Sequence, residues 1–412
     1  MRDQDDAPVR LPIDTDYLSA QLGALLAIPS PSGYTDNIVR HVSLELQRLG
    51  LRAELTRRGV IRAIRKGRSA HGARAIVSHL DTLGAQVKRI KDNGRLELVP
   101  IGHWSSRFAE GARVTLFAEP GSYRGTILPL KASGHTFNRE IDTQPVAWDH
   151  VELRIDEYTR CREDTIALGV DVGDTIAIDP QPEFLSNGFI VSRHLDNKAG
   201  AALMLAALQA MQSAQRTTEV DIHWLFTISE EVGVGASSIL THDVASLVAI
   251  DNGTTAPGQN SAEFGVTIAM ADQTGPFDFH LTRKLVRLAR DNDIRYQKDV
   301  FRYYRSDSAS AVEAGNDVRT ALLTFGIDAS HGYERIHMHA LRSLAELLTA
   351  YALSPIEIAR DAEEIAGLAG FTNQPVQEAD HAPVPGDPDG RGEGSGGAGA
   401  SGGAAETLRS GD

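Results

Sequence analysis

Apolar positions recur along this chain in two rhythms. In TDNIVRHVSLELQRLG, residues 35–50, Ile38, Val42, Leu46 and Leu49 fall at helical spacing behind Thr35 or Asp36 as a cap and ahead of Gly50. ARAIVSHLDT, residues 73–82, then reads as a short buried strand. From residue 86 to about 184 the rhythm changes. RLELVPIG, ARVTLFA, SYRGTILPL and DTIAID are short segments separated by Gly, Pro and Asn turns, which predicts a small β-rich unit. Beyond it, LDNKAGAALMLAALQAMQSA predicts a long apolar helix, VASLVAIDNG a strand and FDFHLTRKLVRLARDNDI an amphipathic helix. Between the first two lies VDIHWLFTISEE, where Val220, Ile222, Trp224, Phe226 and Ile228 alternate with further apolar residues, the pattern of a strand covered on both faces. The expected fold class is therefore α/β, with one domain at 13–85 and 185–373 interrupted by a β-rich insertion at 86–184.

Composition narrows the partners. The chain has 412 residues, 42% hydrophobic and 23% charged, which is the profile of a globular protein with ample core. A net charge of −14 speaks against nucleic acid or an anionic membrane as the main partner, since both reward clustered Lys and Arg. Cys161 is the single cysteine, so no internal disulfide can form and a reducing compartment is expected. MRDQDDAPVR carries no apolar signal region, and a cytoplasmic location is expected. The segment 374–412 holds eight glycines between 390 and 403 and is expected to be a disordered acidic tail, with residues 1–12 also loose.

Acids and imidazoles collect where strands are predicted to end. These are His79 and Asp81 in IVSHLDT, Asp196 in VSRHLDNKAG, the pair Glu230 and Glu231 in ISEEVG, Asp251 in VAIDNG and His331 in FGIDASHGYER. In open α/β sheets, ligands bind outside the carboxyl ends of strands. Imidazoles and carboxylates without a thiolate suit Zn, Co or Mn, and a carboxylate between two ions can give one oxygen to each. Asp196, placed just before the apolar helix, is the expected bridge. Adjacent Glu230 and Glu231 make chemical sense if Glu231 binds a cation while Glu230 accepts a proton from the attacking water. Asp81 is expected to orient the His79 ring by accepting its N–H. Taken singly, each acid also reads as a helix cap or solvated turn, and His79 as a hydrogen-bonded core residue. Their joint occurrence at five strand ends favours a site. His103, His194, His223, His242, His337 and His339 are expected to be structural, with His337 the alternative to His331.

At these residues the chain resembles the tetrahedral aminopeptidases, dinuclear metallopeptidases that include glutamyl and deblocking aminopeptidases. SPSGYTDNIV, VSHLDTLGA, LVPIGHW, GVDVGDTI, RHLDNKAGAALML, ISEEVGVGAS, AIDNG, YRSDSASAV and SHGYERIHMHAL carry the resemblance over about 15–355. It implies a mixed-sheet zinc-peptidase domain with an inserted, barrel-like dimerisation domain. It implies two divalent ions per subunit, one held by His79, Asp196 and Asp251, the other by Asp196, Glu231 and His331. Glu230 becomes the general base and Asp81 the orienting carboxylate. The implied substrate is a short peptide, and the implied assembly a homododecamer built from dimers. HLDTLG and LDNKAG depart from the usual motifs and look like a subgroup associated with the osmoprotectant N-acetylglutaminylglutamine amide. KASGHTFNREIDTQ is similar to a segment through which a neighbouring subunit's histidine enters related active sites, which makes His135 a candidate for that part. The rival expectations are a dinuclear amidase acting on acylated amino acids or dipeptides, and an inactive scaffold homologue.

Overall fold

The computed structural model describes residues 10–362, 367–368 and 371–375. The chain opens with α1 (Thr15–Leu26) and α2 (Asp36–Arg48), then β1 (Ala53–Leu55), β2 (Ile61–Arg65) and β3 (Ser69–His79). Asp14 caps α1 by accepting from the Asp16 and Tyr17 amides. Six strands follow: β4 (Gly84–Ile90), β5 (Leu96–Ile101), β6 (Arg113–Ala118), β7 (Gly121–Pro129), β8 (Val151–Ile155) and β9 (Thr175–Ile178). The short helices α3 (Gly134–Phe137), α4 (Glu140–Thr143) and α5 (Arg162–Ala167) lie between them. The chain then runs through β10 (Glu183–Phe184), β11 (Phe189–Ser192), α6 (Leu195–Ser213), β12 (Val220–Thr227), β13 (Val244–Thr254), β14 (Val266–Asp272) and β15 (Gly275–Pro276). It ends with α7 (Phe279–Asp291), β16 (Tyr296–Val300), α8 (Asp307–Glu313), β17 (Arg319–Ile327), β18 (Glu334–His337) and α9 (Met338–Leu353).

The main sheet runs β1-β2-β12-β3-β13-β17-β14-β15, with β16 paired to β14. Its middle strands β12, β3, β13 and β17 are mutually parallel, so their carboxyl ends open on the same edge. All eight residues of β12 are buried, as both-face coverage requires. Helix α6 packs between the sheet and helices α1 and α9. That explains its Ala-rich composition: sixteen of its nineteen residues are buried, leaving no polar face.

The expected β-rich insertion is a closed antiparallel barrel, β4-β5-β8-β7-β6-β9. Val87, Leu96, Leu98, Val114, Leu116, Ile127, Leu153 and Ile176 fill its separate core. A smaller sheet has the order β10-β11-β18.

One local expectation needs correction. Arg10 and Leu11, expected to be loose, are held in place: the Leu11 amide donates to Thr349 Oγ1 at 2.9 Å and its side chain is buried. Residues 1–9 of that segment, and 376–412 of the expected tail, lie outside the described residues.

Gly253 and Gly326 face each other across β13 and β17, just beyond Asp251. A Cβ at Gly326 would stand 2.0 Å from the Ala262 carbonyl oxygen, a main-chain atom that no rotamer change can move. Gly326→Ala should therefore destabilise the fold by about 1–3 kcal/mol, read as a fall in the urea midpoint at unchanged slope. An unchanged midpoint would show that this contact is not limiting.

Candidate metal centre

Six side chains from five parts of the chain meet at the carboxyl edge of the parallel strands. His79 is the last residue of β3, Asp251 lies in β13, and Glu230 and Glu231 follow the end of β12. Asp196 enters from the first turn of α6, where its backbone (φ −74°, ψ 106°) is not yet helical and the Asp196–Asn197 peptide is cis. His331 comes from the turn between β17 and β18 in the left-handed region, φ 67°, a conformation that costs about 1–3 kcal/mol in a non-glycine residue.

The Asp196 carboxylate stands between the imidazoles. Its Oδ1 is 3.3 Å from His79 Nε2, and its Oδ2 is 3.3 Å from His331 Nε2. Around the first imidazole, Glu230 Oε2 lies at 3.7 Å and Asp251 Oδ1 at 4.0 Å; around the second, Glu231 Oε2 lies at 3.6 Å. Donor atoms bound tetrahedrally at about 2.1 Å from one Zn ion are about 3.4 Å apart, so these spacings suit ligands sharing a cation. Asp196 Oδ1 and Glu231 Oε1 are buried with no hydrogen-bond partner among the described residues. The residues fit the divalent cations expected from the sequence.

The imidazole Nδ1 atoms are tied from outside. His79 Nδ1 donates to the main-chain carbonyl of Asp81 at 2.9 Å, and His331 Nδ1 to that of His103 at 2.8 Å. The Asp81 carboxylate thus differs from its expected part. Strand β3 stops at His79, so the chain turns before Asp81 and leaves its Oδ1 3.6 Å from the ring nitrogen. Instead Asp81 accepts the amides of Glu230 (3.1 Å) and Glu231 (3.3 Å), with Ser32 Oγ donating at 2.5 Å. It fixes the acidic pair through the backbone.

Other positioning residues carried little signal in the sequence. Glu334, buried at the start of β18, accepts the Asp196 amide at 3.1 Å through Oε2 and the His331 amide at 2.9 Å through Oε1. One carboxylate thereby clamps Asp196 and the strained histidine together. Asn252 donates to Asp196 Oδ2 at 2.7 Å. Buried Asp307 accepts from Thr227 Oγ1 and the Ala236 amide, bracing both ends of the loop that carries Glu230 and Glu231. A polar residue just after a strand is a weak signal alone, and only the fold shows which main-chain groups it serves.

His337, the alternative to His331, faces away. Its Nε2 bonds the Asn187 carbonyl at 3.0 Å, its Nδ1 caps α9, and its ring packs on Phe189 and Phe264. His103, expected to be structural, lies on the cleft rim. His135 sits exposed on α3 and does not line this cleft in its own chain.

Burial shapes the electrostatics. It pushes Glu231 up to about 8 and Asp251 up to about 7, and raises Glu230 well above the usual carboxylate range. Burial works against Asp196 as well, but the adjoining His331 and His79 imidazoles hold it below its ordinary value. It opposes charge on His331 too, yet Asp196 and Glu231 carry that imidazole up to about 11. Beside them a cleft of about 350 Å³ opens to solvent, lined also by Gln273, Tyr303, Tyr304 and Arg305.

Comparison with known proteins agrees with this geometry. Residues 59–347 match the M42 glutamyl aminopeptidase family, and the chain belongs to it. YhfE of Bacillus subtilis (strain 168) is 36% identical over 333 residues, covering 81% of this chain and 96% of that one. Among solved structures, a TET aminopeptidase of the marine sediment archaeon Thaumarchaeota archaeon SCGC AB-539-E09 superposes with a TM-score of 0.76 at 17% identity, over 84% of this chain and 99% of that one. The Pyrococcus horikoshii TET1 peptidase, which can assemble into a tetrahedron or a large octahedral shell, gives 0.73 at 22% identity, over 82% and 100%. The chain is thus placed among the metallo-aminopeptidases, and the mixed sheet with its closed barrel is their fold.

Protons and cations compete for the same donor atoms. Groups raised to about 7 and 8 must give up protons when a cation binds, so affinity should strengthen as pH rises from 6 to 8.5. In the same titration Glu334→Gln, which replaces one accepting oxygen with a donor, should weaken cation binding about 10–100-fold. Isothermal titration with Zn or Mn checks both; a pH-independent affinity, or an unaffected variant, contradicts the respective claim.

Proposed function

We propose that this protein is a dinuclear metal-dependent aminopeptidase that removes the N-terminal residue of short peptides. The observation that carries the reading is the Asp196 carboxylate with one oxygen toward His79 and the other toward His331. His79, Asp196 and Asp251 would hold one divalent cation, and Asp196, Glu231 and His331 the other, with Zn, Co and Mn all suited to the donors. Bound there, the cations supply Lewis-acid chemistry, acidifying a water and polarising the scissile carbonyl.

The protein's own groups do the rest. Glu230 side-chain oxygens border the cleft and lie beside the donor cluster, so this residue takes the proton of the attacking water and returns it to the leaving amine. Burial gives that carboxylate the raised proton affinity an acid-base shuttle needs. Asp81 and Asp307 hold the loop behind Glu230 and Glu231 still, while Glu334 sets the spacing of Asp196 and His331.

Glu230→Gln should lower kcat by about 10²–10⁴-fold while still binding two cations. Loss of one cation instead would make Glu230 a ligand, since its Oε2 is also within the donor cluster. Free-amine peptides should be cleaved and their N-acetylated forms spared; the opposite preference would favour an amidase. An association with osmoprotectant dipeptide metabolism belongs to this proposal, but the acetylated dipeptide, having no free amine, is not proposed as the substrate.

The barrel, residues 84–178, is proposed as the dimerisation module of a homododecamer, a reading supported by the tetrahedron formed by the Pyrococcus horikoshii relative. Among the described residues no helix is long and apolar enough to cross a membrane, and a cytoplasmic location is part of the proposal. His135, exposed on α3, is proposed to reach a neighbouring subunit's cleft. Co-assembling His135→Ala with Asp196→Ala subunits should restore part of the activity that each lacks alone; absence of complementation, or a monomeric mass by light scattering, removes that role.

A further inference from the structure

The cleft does not end at the donor cluster. A narrow recess adjoins it, and Asp196 and His331 line both. Leu83, Trp104, Phe108 and Ile178 give the recess apolar walls, and Arg193 brings a guanidinium to it. Arg193 lies in the link between β11 and α6, three residues before Asp196.

A guanidinium offers five N–H donors and is always charged. Among the described residues the Arg193 side chain has no hydrogen bond and no ion pair; it packs on the Tyr333 ring, 5.6 Å from its centre. Two acids stand near enough for their charge to reach it, Glu334 and Asp179. Both are engaged elsewhere. Glu334 accepts the Asp196 and His331 amides, one on each oxygen, and the two Asp179 oxygens accept from Arg124. Burial weighs against the charge on Arg193, yet the residue keeps part of its surface open. Charged donors that are partly desolvated and unpaired call for an anion from outside the chain. Size narrows the choice. The recess has about 10 Å³ free, the room of one water-sized group, so a carboxylate oxygen enters it and a side chain does not. Because recess and cleft share Asp196 and His331, an anion there lies a short reach from a scissile bond held over the donor cluster. One residue of extended chain supplies about 3.5 Å of that reach.

We infer that Arg193 is a specificity-determining residue whose guanidinium binds the C-terminal carboxylate of the substrate, which makes dipeptides with a free carboxyl end the preferred class. The inference rests on the peptidase reading above and deepens it, from short peptides in general to the shortest. No bond forms or breaks through Arg193; a carboxylate oxygen replaces water at its N–H groups.

Arg193→Met keeps an unbranched apolar stem and removes the charge. Wild type and variant, loaded with the same cation, are compared on one free-amine dipeptide and on the same dipeptide as its C-terminal amide, reading release of the N-terminal residue. Wild type should favour the acid over the amide by about 10–100-fold in kcat/KM, mainly through KM. In Arg193→Met that ratio should fall to about one, and Arg193→Gln reads the same ratio should the methionine variant not fold. A wild-type ratio near one overturns the inference and leaves the peptidase reading intact. A ratio that survives the substitution overturns it too, whatever happens to the overall rate, because a structural role would slow both substrates alike. A wild type that cleaves neither substrate instead overturns the peptidase reading and the inference with it.

Discussion

A carboxylate buried between two imidazoles is the constraint around which this protein is organised. Asp196 is almost wholly removed from water, and so are His79, Asp251 and much of Glu231. Burying so much ionisable surface without compensating charge is costly, and a cluster of acids repels itself. In the proposed function, divalent cations shared through Asp196 would relieve both penalties at once. The surrounding architecture serves to make that arrangement stiff enough to hold.

Stiffness comes mainly from main-chain contacts made by acids outside the ligand set. Asp81 accepts two consecutive amides after β12, Glu334 accepts one amide from each end of the site, and Asp307 closes the loop that follows Glu231. An acid holding an amide places the neighbouring side chain by fixing the backbone that bears it, which is more exact than a contact between two flexible side chains. The parallel strands provide the frame. Because β12, β3 and β13 are hydrogen-bonded in register, their terminal residues are brought to one edge without any sequence proximity.

Much of this was legible in the chain itself. A both-face apolar run ending in Glu230 and Glu231 announces a buried parallel strand with an acidic terminus, and the same logic locates His79 and Asp251. Asp196 was visible as an acid at the head of an apolar helix. What remained hidden depended on turns. His331 and His337 lie four and ten residues after β17, and nothing local says which one the fold directs inward. The carboxylate of Asp81 misses its expected partner because β3 ends at His79 and the chain turns before residue 81. Glu334 and Tyr304 had no periodic context, so their orientation emerged only from the fold. Barrel closure was equally invisible, since it depends on pairing β4 with β9 across almost the whole insertion.

The two imidazoles are anchored on different bodies. His79 leans on the Asp81 carbonyl beside the parallel sheet, whereas His331 leans on the carbonyl of His103, in the loop that leaves barrel strand β5. Tilting the barrel against the sheet would thus displace one ring while the other stayed put, altering the gap between their Nε2 atoms. Whatever sets the pitch of the barrel acts as a fine adjustment on the spacing of the two imidazoles.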